Sequence, residues 1–281
     1  MTGATVWING QSQSEVSVLD RGLVYGDGLF ETIRISNGRT TLTALHWERL
    51  LEDCRRLNIP LDQDEFIEEV RGFLSFFSVD AGVLKVLVTR GVGGRGYNPE
   101  GCQNTQRILS IHPLPVRNPD PSISGARVIV CKLRLGQSDL AGMKHLNRLE
   151  QVVARSEWLG NIYDEGLLCD FSGNLIEGTM SNLFIVGHNG ELITPDLSFS
   201  GVKGVCRQYV LGIARKMRLT VKEQCIPENS LQEMAAEVFL CNSVNGIWPV
   251  TAYKSEENQE NWEIGPLTTK IRDRVQEELN A

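Results

Sequence analysis

No run of the 281 residues approaches the ~20 consecutive apolar side chains that span a bilayer, so no membrane-spanning segment is expected. A basic excess is missing too. The chain has 28 Lys and Arg against 35 Asp and Glu, a formal net charge of -7, which argues against a general nucleic-acid binder. A local anion site stays open, because a few placed arginines suffice for one. The seven cysteines (Cys54, Cys102, Cys131, Cys169, Cys206, Cys225 and Cys241) are scattered, with no two spaced as metal ligands or as a CxxC pair. The four histidines are isolated as well, so a metal enzyme has little support, and reduced thiols in a cytosolic protein are expected. The opening stretch MTGATVWING lacks the basic and apolar regions of a secretion signal, which agrees with a cytoplasmic location. What is present, 41% hydrophobic and 22% charged residues, suits a globular chain with one large domain or two smaller ones.

Residues 5–9 alternate as a short strand, and LFETIRI (29–35) sets Phe30, Thr32 and Arg34 against Leu29, Glu31 and Ile33. Asn37-Gly38 and Asn189-Gly190 read as hairpin turns. TALHWERLLEDCRRLNI places Leu45, Leu50, Leu51, Cys54 and Leu57 on one helical face, with Thr43 as its N-cap. A second helix is expected over about 62–77. Strands are expected at 82–91, 106–114, 126–134, 165–171, 175–178, 182–187, near 219–225 and at 237–243. Helices are expected over about 146–159 and 205–217, with a short one before 237. Pro266 suits the first turn of a closing helix, 266–279. The stretch HPLPVRNPDPSISG (112–125) holds four prolines and no periodicity, which marks a linker. Mixed strands and helices with several hairpins favour two α/β or α+β domains over a doubly wound parallel sheet. The expected division is 1–115, a linker at 116–124, and 125–281.

Several short motifs carry chemistry. GVGGRG (91–96) matches G-x-G-x-x-G, but YNPEGC follows, where a dinucleotide fold needs a helix. It reads as a glycine loop that either presents Arg95 and Tyr97 to a carboxylate or is simply solvated. SGVKGVCRQYV places Gly201 and Gly204 before a helix, where exposed N–H groups bind phosphate or where glycine serves sterics alone. CNSVNG ends an apolar strand with Asn242 and Ser243 as donors, or as a polar turn. Glu177 in LIEGTMSNLF is either a strand-end surface carboxylate or the partner of a protonated ring nitrogen. Arg49 sits on the polar face of its helix, where a surface ion pair is the ordinary outcome. Lys144 in LAGMKHLNRLEQV stands between apolar residues at what reads as a helix start. It is either an exposed lysine or an amine held for a purpose. A phosphorylated aldehyde cofactor needs this set: a lysine to form an imine, N–H groups and an arginine for the phosphate, and a carboxylate for the pyridinium.

RGLVYGDGLFETIR, HWERL, TRGVGGRGY, LAGMKHLNRLEQV, EGTMSNLF, GVKGVCR and CNSVNGIWPV resemble, in this order, the motifs of the fold-type IV pyridoxal-phosphate enzymes. That family includes branched-chain and D-amino acid aminotransferases and aminodeoxychorismate lyases, and KHLNRLEQV with the glycine loop looks most like the lyases. The resemblance runs from about residue 6 to 250. It implies a two-domain D-amino acid aminotransferase-like fold and a homodimer with pyridoxal 5'-phosphate as cofactor. It implies that Lys144 bonds to the cofactor, that Glu177 contacts the pyridine nitrogen, and that Arg49, the backbone at Val205 and Cys206, and Ser243 hold the phosphate. Asn147 and Arg148 would lie beside the ring, although the aminotransferases often carry a tyrosine soon after the lysine, where Arg148 and Leu149 stand here.

The activity implied is conversion of 4-amino-4-deoxychorismate to 4-aminobenzoate and pyruvate, a folate precursor step. Lys144 would be the base, and Thr32 either relays a proton or packs in its strand. Arg95, Tyr97 and Phe30 are the substrate-side candidates. The rival readings are an aminotransferase on the same scaffold, a non-catalytic protein that keeps the cofactor site, and a nicotinamide dehydrogenase, which rests on the glycine loop alone.

Overall fold

The computed structural model describes residues 5–102, 104–256 and 258–281. They fall into two compact units. The first takes the described residues through Leu114 together with Met143–Asn147 and Asn280–Ala281, and the second takes Pro115–Gly142 and Arg148–Leu279.

The first unit contains β1 (Val6–Ile8), α1 (Arg21–Tyr25), β2 (Gly28–Ser36), β3 (Arg39–Thr40), α2 (Thr43–Leu57), α3 (Gln63–Phe77), β4 (Gly82–Thr89) and β5 (Gln106–His112). The strands form an antiparallel sheet in the order β1-β5-β4-β2-β3. The period-2 pattern of β2 sends Leu29, Glu31, Ile33 and Ile35 inward, where the apolar ones join Leu50 and Cys54 of α2 and Phe66, Val70 and Phe73 of α3 in one core. Phe30, Thr32 and Arg34 face the other way. Asn37 (φ 50°) and Gly38 (φ 72°) make the two-residue turn expected from Asn-Gly, since such a turn needs positive φ at both positions. Asp62 caps α3 by accepting from the Glu65 N–H at 2.9 Å. Thr43 is not the cap of α2. Leu42 holds that place in the left-handed region, and the Thr43 hydroxyl donates back to the Thr40 carbonyl at 2.7 Å. The buried side of α2 also differs from the expected apolar face, because it carries His46 and Asp53 beside Leu50 and Cys54.

The second unit contains α4 (Pro121–Ser124), β6 (Ala126–Leu135), α5 (Leu149–Arg155), β7 (Glu165–Asp170), β8 (Leu175–Gly178), β9 (Asn182–Gly187), β10 (Leu192–Pro195), α6 (Val205–Lys216), β11 (Val221–Gln224), α7 (Leu231–Met234), β12 (Ala235–Asn242), β13 (Gly246–Lys254), β14 (Gln259–Asn261) and α8 (Pro266–Asn280). The sheet order is β11-β10-β9-β12-β13-β6-β7-β8, with β14 on β13. One further pair, Glu177 with Asn182, joins β8 to β9. It closes β9, β12, β13, β6, β7 and β8 into a ring, which covers the free edge of β8 while β11 stays at the other edge. Leu167, Leu183, Ile185, Leu240 and Val250 fill part of its core. β13 was not legible in the sequence, because Pro249 argues against a central strand. It is tolerated where it stands, opposite Phe239 and just before pairing with β6 begins at Val250. The proline-rich stretch is not wholly irregular either, because Asp120 caps the helical turn α4 with Pro121 in its first turn. No helix among the described residues is long and apolar enough to cross a membrane.

Candidate active site

Lys144 does not open a helix. α5 starts only at Leu149, because the backbone around Lys144 is used otherwise. The Phe30 N–H donates to the Lys144 carbonyl at 3.0 Å, and the Leu146 N–H donates to the Gly28 carbonyl at 2.9 Å. Residues 144–146 thus run as an extended piece alongside β2, with Leu29 opposite His145. The Lys144 N–H donates to Asp53 Oδ2 at 3.1 Å, so α2 grips the same residue. Its amine lies 4.3 Å from the centre of the Phe30 ring, a favourable place for a cation. Lys85, directly across from Thr32 in β4, brings a second amine to that ring at 5.8 Å. Phe30, Thr32, Lys85 and Lys144 therefore share one side of the first unit's sheet, and Asn147 is tied nearby by its Nδ2 donating to the Gly26 carbonyl at 3.1 Å.

Beneath them lies a buried ionic group that the sequence reading missed. Glu31 accepts from His46 Nδ1 at 2.6 Å and from Arg49 Nε and Nη2 at 2.7 and 2.5 Å. Glu31 is 1% exposed and the Arg49 side chain 10%, so Arg49 is no surface ion pair. Burial pushes the Glu31 carboxyl up, but Arg49 and His46 outweigh it and bring it down to about 2. Burial, helped by Arg49 and Lys144 and opposed by Glu31, lowers the His46 pKa. A neutral His46 that donates from Nδ1 leaves Nε2 as an acceptor, and this atom is buried without a hydrogen-bond partner. Burial raises the Asp53 carboxyl, despite the Lys144 N–H. The spacing of His46, Arg49 and Asp53 at i, i+3 and i+7 was the available signal, but it reads equally as a solvated stripe.

The second unit holds the other candidates. Glu177 is 4% exposed, which excludes a surface carboxylate. It accepts from the Val202 N–H at 2.8 Å and from Gln151 Nε2 at 3.4 Å. Its strand partner Asn182 donates from Nδ2 to the Val202 carbonyl at 2.9 Å. Both backbone groups of Val202 are thus clamped by the pair that closes the ring of strands. The same loop is paired with Gly142, which donates to the Gly201 carbonyl at 2.9 Å and accepts from the Lys203 N–H at 3.0 Å. Gly204 then serves as N-cap of α6 with no side chain to satisfy the N–H groups of Val205 and Cys206. A Cβ at Gly204 would collide with Asn182 Oδ1. Arg148, at the N-cap of α5, lies within electrostatic reach of Glu177, and burial pulls its pKa below the usual arginine range against the pull of Glu177 and Glu150. Ser243 is half-buried in the β12–β13 turn. Asn242 is a turn residue, its Oδ1 accepting from the N–H groups of Val244 and Asn245 at 3.0 and 2.8 Å.

The glycine loop is not followed by a helix, so a dinucleotide site is excluded. Arg95 and Tyr97 are exposed on it, and the Tyr97 ring packs on Tyr25 at 5.3 Å.

These donor sets fit pyridoxal phosphate. An uncapped helix start suits the phosphate, a buried carboxylate suits a protonated pyridine nitrogen, and an amine with its backbone locked on both sides suits a carbonyl partner. The fold is that of the fold-type IV pyridoxal-phosphate enzymes. The family model described as amino-transferase class IV matches residues 28–253, and the chain belongs to that family. It is 34% identical over 267 residues to aminodeoxychorismate lyase of Vibrio harveyi, covering 95% of this chain and 97% of that one. It is 31% identical over 278 residues to a putative branched-chain-amino-acid aminotransferase of Methanocaldococcus jannaschii, covering 97% and 95%. Among solved structures, 4-amino-4-deoxychorismate lyase from Pseudomonas aeruginosa matches with a TM-score of 0.91 and 42% identity, over 98% of this chain and 100% of that one.

Proposed function

We propose that the protein converts 4-amino-4-deoxychorismate to 4-aminobenzoate and pyruvate, supplying a folate precursor. The observation that carries this reading is the placement of two amines, Lys144 and Lys85, with Phe30 and Thr32 on one side of one sheet. The likeness to two lyases over nearly the whole chain supports the choice of reaction. Pyridoxal phosphate, when bound, supplies an electrophilic carbonyl for the substrate amine and an electron sink for the charge left by deprotonation. Glu177 would hold the ring nitrogen protonated. Arg49, the N–H groups of Val205 and Cys206, and Ser243 would hold the phosphate, with Asn147 and Arg148 beside the ring. Lys144 would hold the cofactor through its amine. The same amine is the base that takes the proton from the substrate ring carbon bearing the nitrogen. The carboxylate-bearing fragment leaves as that ring becomes aromatic, and Lys144, directly or through Thr32, returns the proton to it. The substrate carries two carboxylates, and Lys85, Arg95 and Tyr97 meet them while Phe30 packs against the ring.

The chain acts as a homodimer in the cytoplasm. Exposed apolar side chains on each unit, among them Val18, Leu19 and Leu23 on the first and Leu149 and Val152 on the second, suit a subunit surface. An aminotransferase is the second reading, favoured by the archaeal relative. Cofactor-loaded protein mixed with 4-amino-4-deoxychorismate should release 4-aminobenzoate and pyruvate in equal amounts with no keto acid added. Turnover only with D-alanine, or a branched-chain amino acid, and 2-oxoglutarate would replace the lyase reading with the second.

A further inference from the structure

One residue closes the glycine loop at both ends. The Arg21 backbone N–H donates to the Gly91 carbonyl at 2.9 Å, where the loop leaves β4. The Arg21 guanidinium donates from Nη1 to the Gly96 carbonyl at 3.0 Å and from Nη2 to the Tyr97 carbonyl at 3.1 Å, where the loop returns. Its remaining nitrogen, Nε, donates to Asp27 Oδ2 at 2.8 Å. Asp27 is shared with Arg90, whose Nε donates to the same oxygen at 2.7 Å. Arg90 in turn donates to the carbonyls of Leu57 and Asn58 at the end of α2, at 2.8 and 2.9 Å. Both arginines are buried, at 4% and 7% exposed, so the loop is anchored to the unit's interior. Burial pushes the Asp27 carboxyl up, and the two guanidiniums overcome it and hold it below the usual carboxylate range.

Tyr25 completes the arrangement. Its ring lies 4.9 Å from Arg21 Cζ, and its hydroxyl accepts from the Gly96 N–H at 3.2 Å. A Cβ at Gly93 would lie 3.0 Å from Arg21 Cδ and would displace Cys102 Sγ. The loop therefore crosses directly over the arginine stem. Its exposed tip is Arg95, between the two tied ends.

We propose that Arg21 is the positioning residue of the 91–98 loop, holding Arg95 and Tyr97 in the geometry that receives the substrate carboxylates. This rests on the roles given to Arg95 and Tyr97 above. A loop with glycine at 91, 93, 94 and 96 has wide conformational freedom, and ordering it on binding lowers affinity. A loop ordered beforehand binds without that loss. Lysine cannot take the place of Arg21, since a single ammonium does not donate along three fixed directions to Asp27, Gly96 and Tyr97.

The test uses the cofactor-loaded full chain with Arg21→Lys, Tyr25→Phe and Arg95→Ala. Arg21→Lys should raise KM for 4-amino-4-deoxychorismate about tenfold with kcat within about threefold. Trypsin should cleave after Arg95 faster, with the melting temperature nearly unchanged. Tyr25→Phe removes only the acceptor for Gly96 and should raise KM less, about threefold; it keeps the question open to measurement if Arg21→Lys does not fold. Added to Arg95→Ala, Arg21→Lys should raise KM by less than it does in the wild type, because only Tyr97 is then left to misplace. If Arg95→Ala raises KM while Arg21→Lys, or Tyr25→Phe in its absence, moves neither KM nor the cleavage rate, Arg21 has no positioning role. If Arg95→Ala itself leaves KM unchanged, the carboxylate role of the loop falls, and the substrate part of this proposal falls with it.

Discussion

At the scale of single residues, Lys144 is held by its backbone before its side chain does anything. Asp53 and Phe30 use its main chain, and Gly28 accepts from the N–H of Leu146 two residues on. The amine lies 4.3 Å from the centre of the Phe30 ring. Lys144→Ala should abolish the visible absorbance of covalently held cofactor and lower turnover by at least about 10²–10⁴-fold, the usual worth of a positioned base. Borohydride reduction of the wild-type protein followed by peptide mapping should place the label on Lys144, and a label elsewhere would reject its role. Glu31 allows a second prediction. Its folded pKa of about 2 lies below the ordinary 4.5, so its contribution to stability is complete above 4.5 and is lost as pH falls through 2. Glu31→Gln leaves Arg49 and His46 facing a neutral amide, and removing one partner of a buried ion pair costs about 3–5 kcal/mol. Urea unfolding should show this deficit at pH 7 and a smaller one at pH 3. An equal deficit at both would show that Glu31 is not ionised through a depressed pKa.

At the scale of elements, the candidate residues of each unit are placed by connections that leave regular structure. α5 begins three residues later than its apolar pattern suggests, because 144–146 pair with β2 instead. α2 turns a polar stripe inward, since Glu31 in β2 and the Lys144 N–H supply partners for it. The start of α6 is set by Gly204, against which Asn182 packs, while Asn182 and Glu177 hold the two sides of Val202. Gly204→Ala should force Asn182 away from Val202 and, if the start of α6 takes the phosphate as proposed, weaken cofactor binding. The loss of one hydrogen bond of ~1.4 kcal/mol corresponds to about tenfold weaker cofactor binding. Dialysis against cofactor-free buffer, followed by absorbance, measures this. Circular dichroism should stay that of the wild type, and unaltered cofactor retention would show that this close approach does not matter to the phosphate.

At the scale of the whole molecule, all seven cysteines are free, and only Cys225 is exposed. Burial pushes the Cys54, Cys131 and Cys169 thiols up to about 12, and a thiol reacts through its thiolate. A disulfide reagent should therefore find one fast thiol in the native protein and all seven after denaturation; two or more fast thiols would mean that the buried ones open readily. The amino-acid sequence by itself determined the strands and helices whose periodicity is clean, such as β2, β9 and α8, and the Asn37-Gly38 turn. It determined the family too, because a set of short motifs in order survives where no single one is specific. It also singled out Lys144 and Glu177. Only the tertiary structure decided that Lys144 lies in an extended segment, that His46 and Asp53 face inward, that Pro249 belongs to a strand, and that Arg21 ties the glycine loop. The physical reason is the same in each case. Periodicity reports which side of an element is apolar, whereas a buried charge or a backbone N–H is settled by a partner far away in the chain, and no local pattern encodes that partner.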